Sequence, residues 1–148
     1  LVTGNGLGFS PDGRVMYLSD SHPTVQQVWA FDLDEAGWPV RRRLFVDMRQ
    51  HGGRPDGAAV DADGCYWICG NDAGLVHRFT PAGRLDRSIA VPAAKPSMCA
   101  FGGPRLDRLY VTTIAPAVPA AGHDPALAGA VFVVDPGCTG LADAAFIG

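Results

Sequence analysis

The chain has 148 residues, 47% of them apolar and 18% charged, and 12 basic against 15 acidic side chains give a formal net charge of −3. That is the length of one ordinary domain, with enough apolar material for a core. Basic residues are scattered apart from Arg41-Arg42-Arg43, so the electrostatic footprint of a nucleic-acid binder is missing, and no apolar run approaches the roughly 20 residues that span a bilayer.

In chain order, short apolar runs recur at Val15-Met16-Tyr17-Leu18, Val28-Trp29-Ala30-Phe31, Cys65-Tyr66-Trp67-Ile68 and Leu109-Tyr110-Val111, and "GAVFVVD" at 129–135 adds one more. No stretch holds a helical period over about 11 residues with caps at both ends, so the chain reads as all-β. Pro11-Asp12-Gly13, Ala62-Asp63-Gly64 and Pro81-Ala82-Gly83 each place a glycine where a hairpin must reverse. The segment 115–127, "APAVPAAGHDPAL", reads as an exposed loop, and the tail after 135 is weakly apolar.

Cys65, Cys69, Cys99 and Cys138 form no CxxC pair and lack a nearby histidine at zinc-finger spacing. On one face of a strand Cys65 and Cys69 would lie about 13 Å apart, too far to bridge, so the cysteines read as small buried hydrophobes. The reducing cytoplasm is then the expected compartment. No signal-peptide pattern stands at the start, which is Leu1 and reads as a cut.

The chain also repeats itself. "GNGLGFSPDGRVMYL", "RPDGAAVDADGCYWI" and "KPSMCAFGGPRLDRLYV" align, with Asn5, Asp56 and Ser97 at one station. Periods of about 40 to 50 residues with several short strands each are those of propeller blades, and a sandwich is the lesser alternative. Three blades are expected, near 5–50, 55–92 and 96–148. In a propeller the innermost strand of every blade starts near the axis, so residues at the same repeat position face one another there. An amide and a carboxylate at that place are hard oxygen ligands for Ca²⁺, Mg²⁺ or Mn²⁺, and are tolerated by Zn²⁺. Pro55-Asp56-Gly57 by itself is equally a turn signature, and both readings stay open from sequence.

The pieces "NGLGFSPDGRVMYLSDS", "VWAFDLD", "RRRLFVD", "RPDGAAVDADGCYWI", "GLVHRFTPAGRL", "CAFGGPRLDRLYVTT" and "GAVFVVD" resemble the SMP-30, gluconolactonase and regucalcin-like six-bladed propellers, in order and over nearly the whole chain. The resemblance implies that the chain is the C-terminal half of a longer propeller, roughly its last three blades. It implies a metal-dependent hydrolase that opens a sugar lactone to the hydroxy acid. One divalent cation is implied, Ca²⁺ or Zn²⁺ first and Mg²⁺ or Mn²⁺ as alternatives. Carried over, the asparagine of the NG motif is Asn5 and the aspartate of the PDG motif is Asp56, both metal ligands, with Asp56 also the catalytic base. The family's glutamate ligand matches nothing in this chain. The implied partners are a small lactone and the missing N-terminal half of the ring, or a second copy of this half, with neither nucleic acid nor membrane. A non-catalytic calcium- or ligand-binding propeller and an arylesterase or phosphotriesterase-like propeller are the competing functions.

Other candidates carry less. Ser10 and Ser97 lack a G-x-S-x-G elbow for a serine triad. Among the scattered histidines, His77 reads as a cross-strand partner and His51 as a residue that borders the site, whereas His22 and His123 have no metal spacing. Asp20, Asn71 and Asp72 follow strands, where each could line the channel or cap a turn. Trp29, Trp38 and Trp67 read as core or blade packing, and Arg41-Arg42-Arg43 as a solvated strand edge.

Overall fold

The computed structural model of the chain describes residues 1–118 and 120–142. The last residues of the third repeat, 143–148, and Pro119 within the 115–127 loop lie outside them. Among the described residues, eleven strands form three antiparallel sheets, each built as a meander of sequential neighbours. The first sheet contains β1 (Gly4–Phe9), β2 (Val15–Asp20), β3 (Gln27–Leu33) and β4 (Pro39–Asp47). The second contains β5 (Arg54–Val60), β6 (Tyr66–Asn71), β7 (Leu75–Phe79) and β8 (Leu85–Ala90). The third contains β9 (Pro96–Gly102), β10 (Arg108–Thr113) and β11 (Val131–Val134). A sandwich would show two facing sheets. Three sheets stacked in series, each led by its inner strand, make this a propeller architecture.

Turn chemistry sets the meanders. Gly13, Gly64 and Gly83 all have positive φ, at +67°, +78° and +76°, and each lets a hairpin reverse where a side chain would strain. Between the sheets, alternating strand residues bury two apolar layers. Tyr17, Val28, Ala30 and Val46 of the first sheet, with Met48 in the 3-10 turn that follows β4, meet Ala58, Tyr66, Ile68 and Phe79 of the second. On the other face of the second sheet, Trp67, Cys69 and Val76 meet Cys99, Leu109 and Val111 of the third. β6 is buried at all six positions because sheets cover it on both faces.

The outer faces of the first and third sheets lack such a cover. Phe9 and Leu44 on one end, and Tyr110, Val131 and Val133 on the other, are exposed.

Three sequence expectations change here. Trp38 is 71% exposed in the hairpin between β3 and β4, and it packs in no core. Only Trp67 is fully buried among the tryptophans, with Trp29 half-buried under the Arg42 guanidinium, 4.6 Å from its ring centroid. Cys65 precedes β6 and does not share a strand face with Cys69. Cys65, Cys69 and Cys99 are buried free thiols and Cys138 is half-buried, so the packing role expected of them holds in the main. Arg41 and Arg43 do lie on the solvated edge strand, both paired with Asp32.

Candidate functional site

Each inner strand carries a β-bulge at its repeat station. The register shifts between Asn5 and Gly8 on β1, between Pro55 and Ala58 on β5, and at Ser97 on β9, which falls between Pro96 and Met98 in the pairing with β10. A bulge kinks its strand and re-aims the side chains there. The glycine after each of the first two stations is required by crowding. A Cβ on Gly6, whose φ is +53°, would come within 2.6 Å of Tyr66 Oη and 2.8 Å of the Asp56 carbonyl oxygen. On Gly57 it would meet Met98 Sδ at 2.4 Å and the Ser97 carbonyl oxygen at 2.6 Å. Gly57 thus serves close passage of β9. Pro55-Asp56-Gly57 lies inside β5 and makes no turn.

This crowding brings residues 51 positions apart into contact: Asn5 Nδ2 donates to Asp56 Oδ1 at 2.6 Å. A second amide holds the other oxygen, with Asn71 Nδ2 donating to Asp56 Oδ2 at 2.7 Å. Asn5 Oδ1 accepts from the Gly6 N–H at 3.0 Å. Both amides therefore turn nitrogen toward the carboxylate, as neutral donors do around an anion. A half-turn about the last side-chain torsion would exchange nitrogen for oxygen. An open hollow beside the group is lined by Asn5, Gly6, Leu7, Gly57, Ala58 and Met98.

Ser97 does not join this group. Its hydroxyl pairs with Thr112 Oγ1 at 2.9 Å. Asp20 caps a turn: its carboxylate accepts the backbone N–H groups of Val2, Thr3 and His22. Burial pushes that carboxyl up, but these donors outweigh it and hold it below the usual range. Asp72, in the left-handed region at φ +78°, is ion-paired with Arg54 at 2.6 Å and with Lys95. Burial opposes its charge, yet the two cations keep its carboxyl below the usual range.

His77 is a cross-strand partner, with Ser88 Oγ 2.7 Å from Nδ1 and the Gly52 carbonyl 2.7 Å from Nε2. Nε2 must carry the proton donated to Gly52. Burial is the main cause that lowers the imidazole below its ordinary value, with a like-charged neighbour, His51, working in the same direction against the Gly52 bond. His51 stacks edge-on against Phe79 at 5.0 Å between ring centroids. It anchors the loop before β5. Ser10 caps its own hairpin through Asp12 and Val15.

Sequence reasoning left two residues unplaced. Asn71 was one of several strand-end candidates, and its signal is a polar residue that closes the otherwise apolar, wholly buried strand β6. Asp61 escaped altogether. It is fully buried and binds Arg78 Nε at 2.7 Å, Trp67 Nε1 at 2.8 Å and the Cys65 N–H at 2.9 Å. Burial works against the charge of Arg78, but Asp61 and Asp86 more than restore it and hold the guanidinium firmly protonated.

Among the described residues no group of three or more His, Cys, Asp or Glu gathers as a metal cage. The donor set at the station is one carboxylate and two amides, hard oxygens of the kind Ca²⁺ and Mg²⁺ prefer. Two buried side-chain oxygens among the described residues lack a hydrogen-bond partner, and both flank this station: Asn71 Oδ1, and Ser19 Oγ opposite Asn5 in the β1–β2 register. Unpaired buried acceptors beside an anion fit a site that takes a cation, with the remaining oxygens to come from elsewhere.

No helix among the described residues is long and apolar enough to cross a membrane. Comparison with known proteins places the chain. It is 44% identical over 114 residues to a 6-deoxy-6-sulfogluconolactonase of Pseudomonas putida, covering 76% of this chain and 38% of that protein. It is 38% identical over 146 residues to an L-arabinolactonase of Azospirillum brasilense, covering 97% and 47%. The chain spans less than half the length of these curated relatives. The crystal structure of a calcium-binding protein, regucalcin, from Agrobacterium tumefaciens superposes with a TM-score of 0.75 at 29% identity, over 89% of this chain and 45% of that one. The description of the matching family model is SMP-30/gluconolactonase/LRE-like region, it covers residues 1–115, and the chain belongs to that family.

Proposed function

We propose that the chain carries part of the cation site of a propeller lactonase, in which Asn5 and Asp56 are metal ligands and Asp56 is also the catalytic base. The observation that carries this reading is the hydrogen bond between Asn5 and Asp56, which joins the inner strands of two sheets beside an open hollow. Two relatives named as sugar lactonases support a sugar lactone as substrate. The exposed apolar end faces support a ring of six blades, completed by further sequence or by a second copy of the chain.

When bound, a divalent cation would polarise the lactone carbonyl and acidify a water. The residues of this chain would do the rest. Asp56 would help to hold the cation, and its carboxylate would accept a proton from the attacking water. Asn5 would serve as a neutral amide ligand. Gly6 and Gly57 keep the inner strands close enough for these groups to converge.

The test is hydrolysis of gluconolactone, other sugar lactones and phenyl acetate, with EDTA and then with Ca²⁺ or Zn²⁺ restored. Cation-dependent turnover of sugar lactones that Asp56→Ala abolishes is the expected result. Turnover that survives EDTA, or is unchanged in Asp56→Ala, contradicts the reading. The regucalcin neighbour, described as calcium-binding, favours a second reading in which the site binds a cation without turnover. Cation affinity without hydrolysis of any ester on the panel would establish that one.

A further inference from the structure

The geometry points to Asn71 as a positioning residue for Asp56, a role no motif assigns to it. This inference rests on the cation-site reading above. Asn71 ends β6, the strand beside β5, with its Cα paired to Arg54. The residue is 3% exposed, and among the described residues the one hydrogen bond its side chain makes is the 2.7 Å donation to Asp56 Oδ2. Its Oδ1 is buried with no donor among them.

A buried amide with one end unpaired costs stability that an apolar side chain of the same size would not. Packing therefore gives no reason for asparagine at this position. What the amide does provide is a clamp. With Asn5 on Oδ1 and Asn71 on Oδ2, the Asp56 carboxylate is fixed in plane by two donors, one from each neighbouring strand system. Both donors are uncharged, so the carboxylate keeps its full negative charge for a cation. An arginine in place of Asn71 would fix the same oxygen but cancel that charge.

Outer partners that orient a metal-binding carboxylate commonly carry a 10–100-fold share of affinity. We therefore expect Asn71→Leu to weaken Ca²⁺ and Zn²⁺ binding by about 10–100-fold in calorimetric titration of the 148-residue chain, with an unchanged or raised Tm. Asn71→Ala needs no extra room and serves as the second variant, and the same loss of affinity is expected. A residue that only held the fold together would show the opposite pattern: a lowered Tm with cation affinity intact. That result, or wild-type affinity in both variants, overturns the inference. Asp56→Ala is titrated alongside. If Asp56→Ala loses binding while the Asn71 variants keep it, the inference alone fails. If Asp56→Ala binds like the wild type, the cation-site reading fails and takes the inference with it.

Discussion

Two aspartates five positions apart, Asp56 within β5 and Asp61 just past its end, are held in opposite ways, and the contrast separates a structural carboxylate from the one proposed to bind a cation. Asp61 is saturated. Its oxygens take the Arg78 guanidinium, the Trp67 indole, the backbone N–H groups of Asp63 and Cys65, and the Cys138 thiol. Arg78 sets a full positive charge directly against Asp61 and reaches on to the more exposed Asp63 and Asp86. Beside it, burial and then the Asp61 charge push the Cys138 thiol up to about 12, which leaves it protonated and inert. Asp56 meets only neutral amides, its partner Asn5 and its neighbour Gly57 line an open hollow, and the amide oxygen of Asn71 beside it is buried without a partner among the described residues. A charge that the fold has not cancelled is one it can offer to a ligand.

The comparison breaks most severely at Asp61. Asp61→Ala removes the fully buried partner of Arg78 and leaves it only the more exposed Asp63 and Asp86, which costs up to about 3–5 kcal/mol, and it should lower the urea midpoint accordingly. Asp56→Ala should lower that midpoint less, by about 1–3 kcal/mol for leaving the buried Asn71 amide without a partner, while cation binding falls by more than the 10–100-fold typical of an outer partner. Swapped outcomes would reverse the assignment of roles. Gly57→Ala is expected to cost about 1–3 kcal/mol, because the added carbon meets β9 backbone that cannot yield as a flexible side chain would.

The smallest effect concerns pH. His77 is buried as the neutral imidazole, so its folded value lies below the ordinary 6.5. Its stabilisation is complete above that value and is lost as pH falls through it toward the folded one, since the unfolded chain then binds more protons. The Tm of the wild type should decline between about pH 7 and 5, and His77→Gln should flatten that decline. An equal slope in both would remove His77 from the account.

Much of the fold was legible in the sequence because it repeats. Period-2 apolar runs and the three Gly-ended turns gave strands and hairpins at short range, where the physics is local. The meeting of Asn5 with Asp56 followed from the repeat too, since equal positions in successive blades converge. Other features depended on contacts that no local pattern encodes. Pro55-Asp56-Gly57 has turn composition but lies in a strand, because its glycine answers to the passage of β9 and not to a reversal of the chain. Ser97 shares the station yet pairs across its own sheet with Thr112, a difference of a short hydroxyl's reach. Trp38 looks like core from its type, but its hairpin carries it into solvent. The Asp61–Arg78 pair joins residues 17 positions apart that are unremarkable until β7 folds back on β6.

The central claim is that Asp56 is the carboxylate left open for a cation. Calorimetric titration of Ca²⁺ and Zn²⁺ into the chain and into Asp56→Asn, which keeps the shape and removes the charge, tests it most directly. Binding by the wild type that disappears in the variant, at matched Tm, is the predicted result. Equal affinity in the two proteins would contradict it.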